Sequence, residues 1–318
     1  MFCENCGAPM GYRGQRFCLG CGRPVKKPYS AGDIIISMLK GVCYFAAYFV
    51  ISNIVQTVYM IAVMTSLEFS GIDIFGGAYL GYSEAFWNEF ARGFSWVATA
   101  SYALIIIAYV IFFAIRRKRF ADEVGLRGFQ FSATPAIATM GVGMQVVTTV
   151  TISILSAIMP WVYNSSEETN QSYEAMFGQS TTIGMFLFIA VATPIIEEVV
   201  FRGLIYTRLK KAMPRGWALV LSSVAFGIAH GEFIRIVYAA ILGMLLAYLF
   251  DKYESLWPSI ILHAVFNGVS FAYDYLPESG LVIISLYFIA IGLTLVGVAY
   301  FFMSEPIYRK EKQINEAL

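Results

Sequence analysis

Three short segments in the carboxyl-terminal half set ionisable side chains among apolar neighbours: EEVVFR at 197–202, FGIAH at 226–230 and HAVFN at 263–267. Such groups are costly in a bilayer and rare there, so each is a functional candidate. The chain has only two histidines, His230 and His263, and both fall in these segments. Adjacent acids on a helix point about 100° apart, so Glu197 and Glu198 have different neighbours. Glu198 and Arg202 are four residues apart with the acid first, the favoured order for an ion pair on one face. Glu197 has no such partner and is free to bind water or a metal. Phe226 with His230, and His263 with Asn267, share helix faces at the same spacing. Pro194, one turn before Glu197, removes a backbone hydrogen bond and loosens the helix beside a cavity.

A carboxylate, two imidazoles and an amide around one hydrated pocket suit water activation with stabilisation of an oxyanion. In this reading Glu197 is the general base and His230 orients the attacking water. His263 and Asn267 stabilise the oxyanion of a tetrahedral intermediate, and Glu198, Arg202 and Phe226 support the site. The competing assignment makes Glu197, His230 and His263 ligands of a catalytic Zn²⁺ with one open position. Ligand type alone does not choose, so the active-site metal stays open. The HExxH pattern of soluble zinc proteases is absent from the sequence.

These side chains need a scaffold, and composition says which kind. Hydrophobic residues make up 58% of the 318 residues and charged ones 14%, which excludes an ordinary water-soluble core. Apolar segments near the length of a bilayer crossing fall at about 34–64, 94–115, 134–160, 181–205, 216–233, 236–250, 255–273 and 281–303. The expected fold is all-α: a polytopic membrane bundle of about eight transmembrane helices, with residues 64–93 able to form an interfacial helix. Lys and Arg concentrate at 116–119, 208–215 and 309–312, whereas Arg92 and Arg235 stand on the other side among acids. By the positive-inside rule this predicts both termini in the cytosol. Counting along the helices from the basic ends puts one cavity below the inner membrane surface. A net charge of +1 gives no reason to expect a nucleic-acid partner.

Four of the five cysteines lie in the first 21 residues, as Cys3, Cys6, Cys18 and Cys21. Two Cys-x2-Cys knuckles have the form of a zinc ribbon, with four thiolates on one structural Zn²⁺ and no open position for chemistry. A segment this short builds no core alone, so the metal supplies its folding free energy. The expected organisation is a cytosolic ribbon at 1–25, a linker at 26–33, the membrane domain at 34–303 with its catalytic core at about 180–275, and a cytosolic tail at 304–318. The ribbon reads as a docking or regulatory module for a cytosolic partner. Residues 1–32 are polar rather than basic and then apolar, unlike a signal peptide.

EEVVFR, FGIAH and HAVFN together resemble the EExxxR, FxxxH and HxxxN motifs of the CAAX protease and bacteriocin-processing (CPBP, or Abi) family of intramembrane proteases, in the same order. The resemblance covers about 180–275. It implies an intramembrane endopeptidase acting on a membrane peptide or protein, with Glu197, His230, His263 and Asn267 as its catalytic residues and Glu198 with Arg202 in support. It also implies an eight-helix bundle whose conical cavity opens to membrane and cytosol, most often in a bacterium, and leaves the substrate undefined. Two rivals use the same residues differently: a non-proteolytic scaffold or bacteriocin-immunity protein, and a transporter or proton pathway.

Overall fold

The computed structural model describes Cys21 and residues 30–79, 81–129, 131–177, 182–273, 275 and 280–303. The protein is an all-α polytopic membrane helix bundle. Helix α1 (Ala31–Phe69) is capped by Ser30, whose hydroxyl accepts from the Asp33 amide at 3.0 Å. It is followed by a short strand, β1 (Phe75–Tyr79), bridged through Phe75 to Tyr82. Helix α2 (Glu84–Ile115) is capped by Ser83. Residues 64–93 thus extend α1 and begin α2 around a tight turn, and the expected separate interfacial helix does not form. Both caps satisfy an amide that a helix start leaves without a partner.

A short helix α3 (Phe120–Val124) leads to α4 (Thr134–Ile158), with a proline in its first turn, and then to α5 (Pro160–Phe177). Helix α6 (Thr182–Ala212) carries the EEVVFR segment. It ends before Pro214, and α7 (Arg215–Ile228) returns along it. Gly231, at φ 79°, makes the turn into α8 (Phe233–Tyr253), which Glu232 caps by accepting from the Ile234 and Arg235 amides. Helices α9 (Trp257–Tyr273) and α10 (Gly280–Met303) complete the described chain. Each of the eight apolar segments is mainly helical, and among the described residues five helices, α1, α2, α4 with its leading turn, α6 and α8, are long and apolar enough to cross a membrane. Helix α7, with 14 residues, spans only about 21 Å at ~1.5 Å per residue and stops inside the bundle.

The bundle is layered around α6. Its Val199–Tyr206 stretch is buried at all eight positions, against α1, α3, α7 and α8. A helix apolar and buried on every side belongs at the centre of a membrane bundle. Helix α1 is the opposite case, with four buried residues in 39. Ile35, Leu39, Phe49, Ile54, Val58 and Ile61 all point outward, as side chains bathed by lipid do.

Candidate active site

Helix α6 does not wind uniformly. Leu187–Ala192 and Val199–Tyr206 are π-helical, and the α-helical turn Thr193–Glu198 between them holds Pro194 and both acids. Wide turns of this kind are rare and cluster at functional sites. Glu197 stands 15 residues from either end of α6, so it sits at the middle of that helix.

Glu198 is fully buried and makes the expected pair with Arg202, Oε1 to Nη1 at 2.7 Å. It has a second partner that sequence spacing did not reveal: His263 Nδ1 approaches the same oxygen at 3.0 Å. A carboxylate paired with arginine only accepts, so this contact puts the proton on Nδ1. His263 Nε2 is then turned to Glu197, 3.6 Å from Oε2. That Glu197 oxygen is buried and has no hydrogen-bond partner among the described residues. One imidazole therefore spans the two adjacent acids, anchored by the one that Arg202 neutralises and facing the one that makes no ion pair with arginine or lysine among the described residues.

Phe226 is fully buried at the centre of the cluster. The Arg202 guanidinium lies 4.3 Å from its ring centroid, and the rings of His230 and His263 meet it edge-on at 4.7 and 5.7 Å. A desolvated cation over an aromatic face is stabilised by about 2 kcal/mol, so Phe226 fixes the arginine and both imidazoles together. The second guanidinium nitrogen of Arg202 donates to the Gly243 carbonyl at 3.1 Å. A side chain at 243 would put its Cβ 3.2 Å from that nitrogen and 3.1 Å from Ser223 Cβ, so glycine is what lets α8 approach. Only an isolated glycine within an apolar run hinted at this in the sequence.

His230 departs from expectation. It lies in the turn between α7 and α8 rather than within a span, and its Nδ1 meets the Phe226 carbonyl at 2.8 Å. A carbonyl only accepts, so Nδ1 carries the proton and Nε2 of the neutral ring is an acceptor. Asn267 Nδ2 donates to the Ile189 carbonyl at 3.0 Å, in the first π-helical segment of α6. Among its two amide hydrogens one remains for another acceptor.

Glu197, His230, His263 and Asn267 all line one cavity of about 700 Å³. Its other walls include Tyr102, Gln145, Thr149, Ser153 and Phe188, and it reaches the helix ends at Glu232 and Arg235. Gln145 Oε1 and Thr193 Oγ1 are buried in its wall without hydrogen-bond partners among the described residues. Most of these lining residues stand at the level of Glu197 or beyond it, away from the basic ends at Arg116, Arg208 and Arg215. The one cavity that the helix count suggested for Glu197, His230 and His263 is present, and it extends from the level of Glu197 mainly away from the basic ends. The count fixed depth along each helix but not which side of Glu197 is empty.

Among the described residues, no three His, Cys, Asp or Glu side chains stand close enough together to hold a metal ion. Glu197, His230 and His263 do not fit a zinc ligand set in this arrangement. Cys3, Cys6 and Cys18 lie outside the described residues, and of the ribbon only Cys21 is described.

Residues 179–269 match the family of type II CAAX prenyl endopeptidase Rce1-like proteins. The resemblance carried by the three motifs is borne out over this segment, which contains Glu197, Glu198, Arg202, His230, His263 and Asn267. Two curated bacterial proteins are similar over the same order of length. "Putative membrane peptidase YdiL" of Bacillus subtilis is 29% identical over 83 residues, 26% of this chain and 34% of the relative. "UPF0177 protein YaiF" of Lactococcus lactis is 30% identical over 115 residues, 35% of this chain and 51% of the relative. The alignments thus cover between a third and a half of the length of these relatives. No solved structure matches the chain. The Rce1-like segment is the densely packed charged core, α6 to α9, and the remaining helices frame it.

Proposed function

We propose that the protein is an intramembrane endopeptidase of the CAAX protease type. Glu197 takes a proton from water in the cavity as that water attacks the scissile carbonyl. His263, held by Glu198, faces Glu197 through Nε2 and exchanges the proton with it. His230 accepts a hydrogen bond from the same water through Nε2. The free hydrogen of the Asn267 amide is the donor that meets the developing oxyanion, joined by His263 once it is protonated. The tetrahedral intermediate collapses when the proton passes to the leaving amine.

The observation that carries this reading is the buried Glu197 oxygen, without a hydrogen-bond partner and 3.6 Å from His263 Nε2 at the cavity wall. Glu198 also has one buried oxygen, Oε2, without such a partner among the described residues, but Arg202 neutralises its charge and only Glu197 of the two lines the cavity. The substrate is a membrane peptide or protein that enters the cavity from the bilayer. With the cation-rich ends in the cytosol, by the positive-inside rule, the cavity opens toward the opposite face. Substrates are then segments presented in the outer half of a bacterial membrane. The amino-terminal cysteines bind a structural Zn²⁺ and dock a cytosolic partner.

The test uses the full chain in proteoliposomes and compares it with Glu197→Gln against a library of membrane-anchored peptides. Cleavage by wild type and its loss in the variant is the expected result. Equal cleavage by both removes Glu197 as the base. If Glu197→Gln retains full cellular activity, the protein acts as a scaffold instead.

A further inference from the structure

A second cavity of about 410 Å³ lies at the basic end of the bundle and shares no lining residue with the first. Five cations line it from three elements and a loop: Lys40 on α1, Arg116 just past α2, Lys118, and Arg208 with Lys211 on α6. Two of them, Lys118 and Arg208, share Glu123 at 2.8 and 2.5 Å. Lys40, Arg116 and Lys211 have no ion-pair partner among the described residues. The other nearby acid, Asp33, is tied to the Ser30 hydroxyl at 2.8 Å. Five cations against two carboxylates leave a net charge of +3 around one cavity. Like charges converging at a protein surface raise the energy of the empty site and focus the field on any anion that enters.

The depth of the cavity says what kind of anion. Helix α1 carries no charged residue between Lys40 and Glu68, and α2 none between Arg92 and Arg116. Lys40 and Arg116 therefore mark where both apolar stretches end, at the level of phospholipid headgroups. Beside the cations the walls are apolar and aromatic: Ile36, Tyr44, Phe112 and Phe113. Tyr109 ties α1 to α2 here by donating to the Tyr44 carbonyl at 2.6 Å, so the site is built rather than a chance gap. Positive-inside bias accounts for cations on loops at this face. It does not by itself bring Lys40, on α1, into the same cavity as the loop cations.

We propose that this cavity binds the phosphate of an anionic phospholipid headgroup, with Lys40, Arg116 and Lys211 as its free cations. Basic pockets between transmembrane helices at a membrane surface take such headgroups. A soluble phosphate has the same chemistry but gains nothing from the apolar wall. The site does not depend on the peptidase reading, since none of its residues touches Glu197 or the histidines.

Native mass spectrometry of the full chain, released from micelles doped with phosphatidylglycerol or phosphatidylcholine, tests the proposal. The expected result is preferential retention of phosphatidylglycerol, weakened about fivefold for each cation removed, hence roughly 25-fold in Lys40→Gln/Lys211→Gln. Lys40→Arg/Lys211→Arg should retain the lipid, which separates charge from packing. A parallel arm measures thermal stabilisation by inorganic phosphate. Stabilisation lost in the glutamine variant, without lipid preference, assigns the site to soluble phosphate. Equal retention of both lipids with no response to phosphate, or unchanged phosphatidylglycerol retention in the glutamine variant, overturns the proposal.

Discussion

Two buried carboxylate clusters, both on α6 and its neighbours, use the same residue types to opposite ends. At the basic end, Asp251 accepts from Tyr206, from Arg215 and, at 2.8 Å, from Lys210, joining α6, the start of α7 and the end of α8. Beside the first cavity, Glu198 accepts from Arg202 and His263 through one oxygen, whereas the adjacent Glu197 lines the cavity and makes no ion pair with arginine or lysine among the described residues. A carboxylate neutralised by a guanidinium or ammonium group is a staple, because the ion pair offsets the cost of burying it. One without such a cation, open to a cavity in the same bundle, carries a desolvation cost that folding alone does not explain. The contrast separates structure from function without reference to any relative.

The sharpest way to break the contrast is to neutralise each acid and read both activity and stability. Glu197→Gln should lower peptide cleavage by about 10³-fold, within the range for loss of a general base, with an unfolding midpoint at or above that of wild type. Arg202→Met should do the reverse in order of effect. It strands Glu198 uncompensated in a dry core and should cost about 3–5 kcal/mol in equilibrium unfolding from mixed micelles. Cleavage should fall as well, because His263 loses the fixed charge of its anchor. A folded, fully active Arg202→Met protein would show that the Glu198–Arg202 pair does not hold the site.

Asp251→Asn sharpens the other side. Lys210 and Arg215 are partly exposed, so water compensates part of the loss, and a cost of about 2–3 kcal/mol is expected. Cleavage per folded molecule should stay within about twofold. Gly243→Ala tests the link between packing and the cavity cluster. Its Cβ meets Arg202 Nη2 at 3.2 Å, and a destabilisation of about 1–2 kcal/mol is expected from overpacking, with a lower cleavage rate as Arg202 shifts.

Much of this was legible in the sequence, and the rest was hidden for a physical reason. Helix periodicity and length disclose contacts within one helix, so the Glu198–Arg202 pair and the eight apolar helices could be read directly. Contacts between helices follow no spacing rule. The bridge from His263 to Glu198 crosses 65 positions, and the bond from Asn267 to Ile189 crosses 78. His230 looked like a helical residue because hydropathy does not sense where a short helix ends. Gly231 was the available signal, since glycine is the residue that tolerates the positive φ of that turn. The side of Glu197 on which the cavity lies depends on which helix halves diverge, and that is a property of the assembled bundle.

The smallest predicted effect concerns a third carboxylate, outside the spans, which shows saturation in partly solvated surroundings. Burial pushes the Glu123 carboxyl up, but hydrogen bonds and charge from Lys118 and Arg208 outweigh it and hold the group at about 2. A depressed carboxyl contributes stability that is fully present above its ordinary value, near 4.5, and is lost as pH falls through the folded value. Unfolding midpoints measured from pH 7 down to pH 3 should therefore fall more steeply for wild type than for Glu123→Gln below about pH 5. Between pH 6 and 7 the two curves should run parallel. The difference between them isolates Glu123 from the other acids, which titrate in both proteins. Parallel curves throughout would mean that Lys118 and Arg208 do not hold this carboxylate, and both would then join Lys40, Arg116 and Lys211 as unpaired cations of the second cavity.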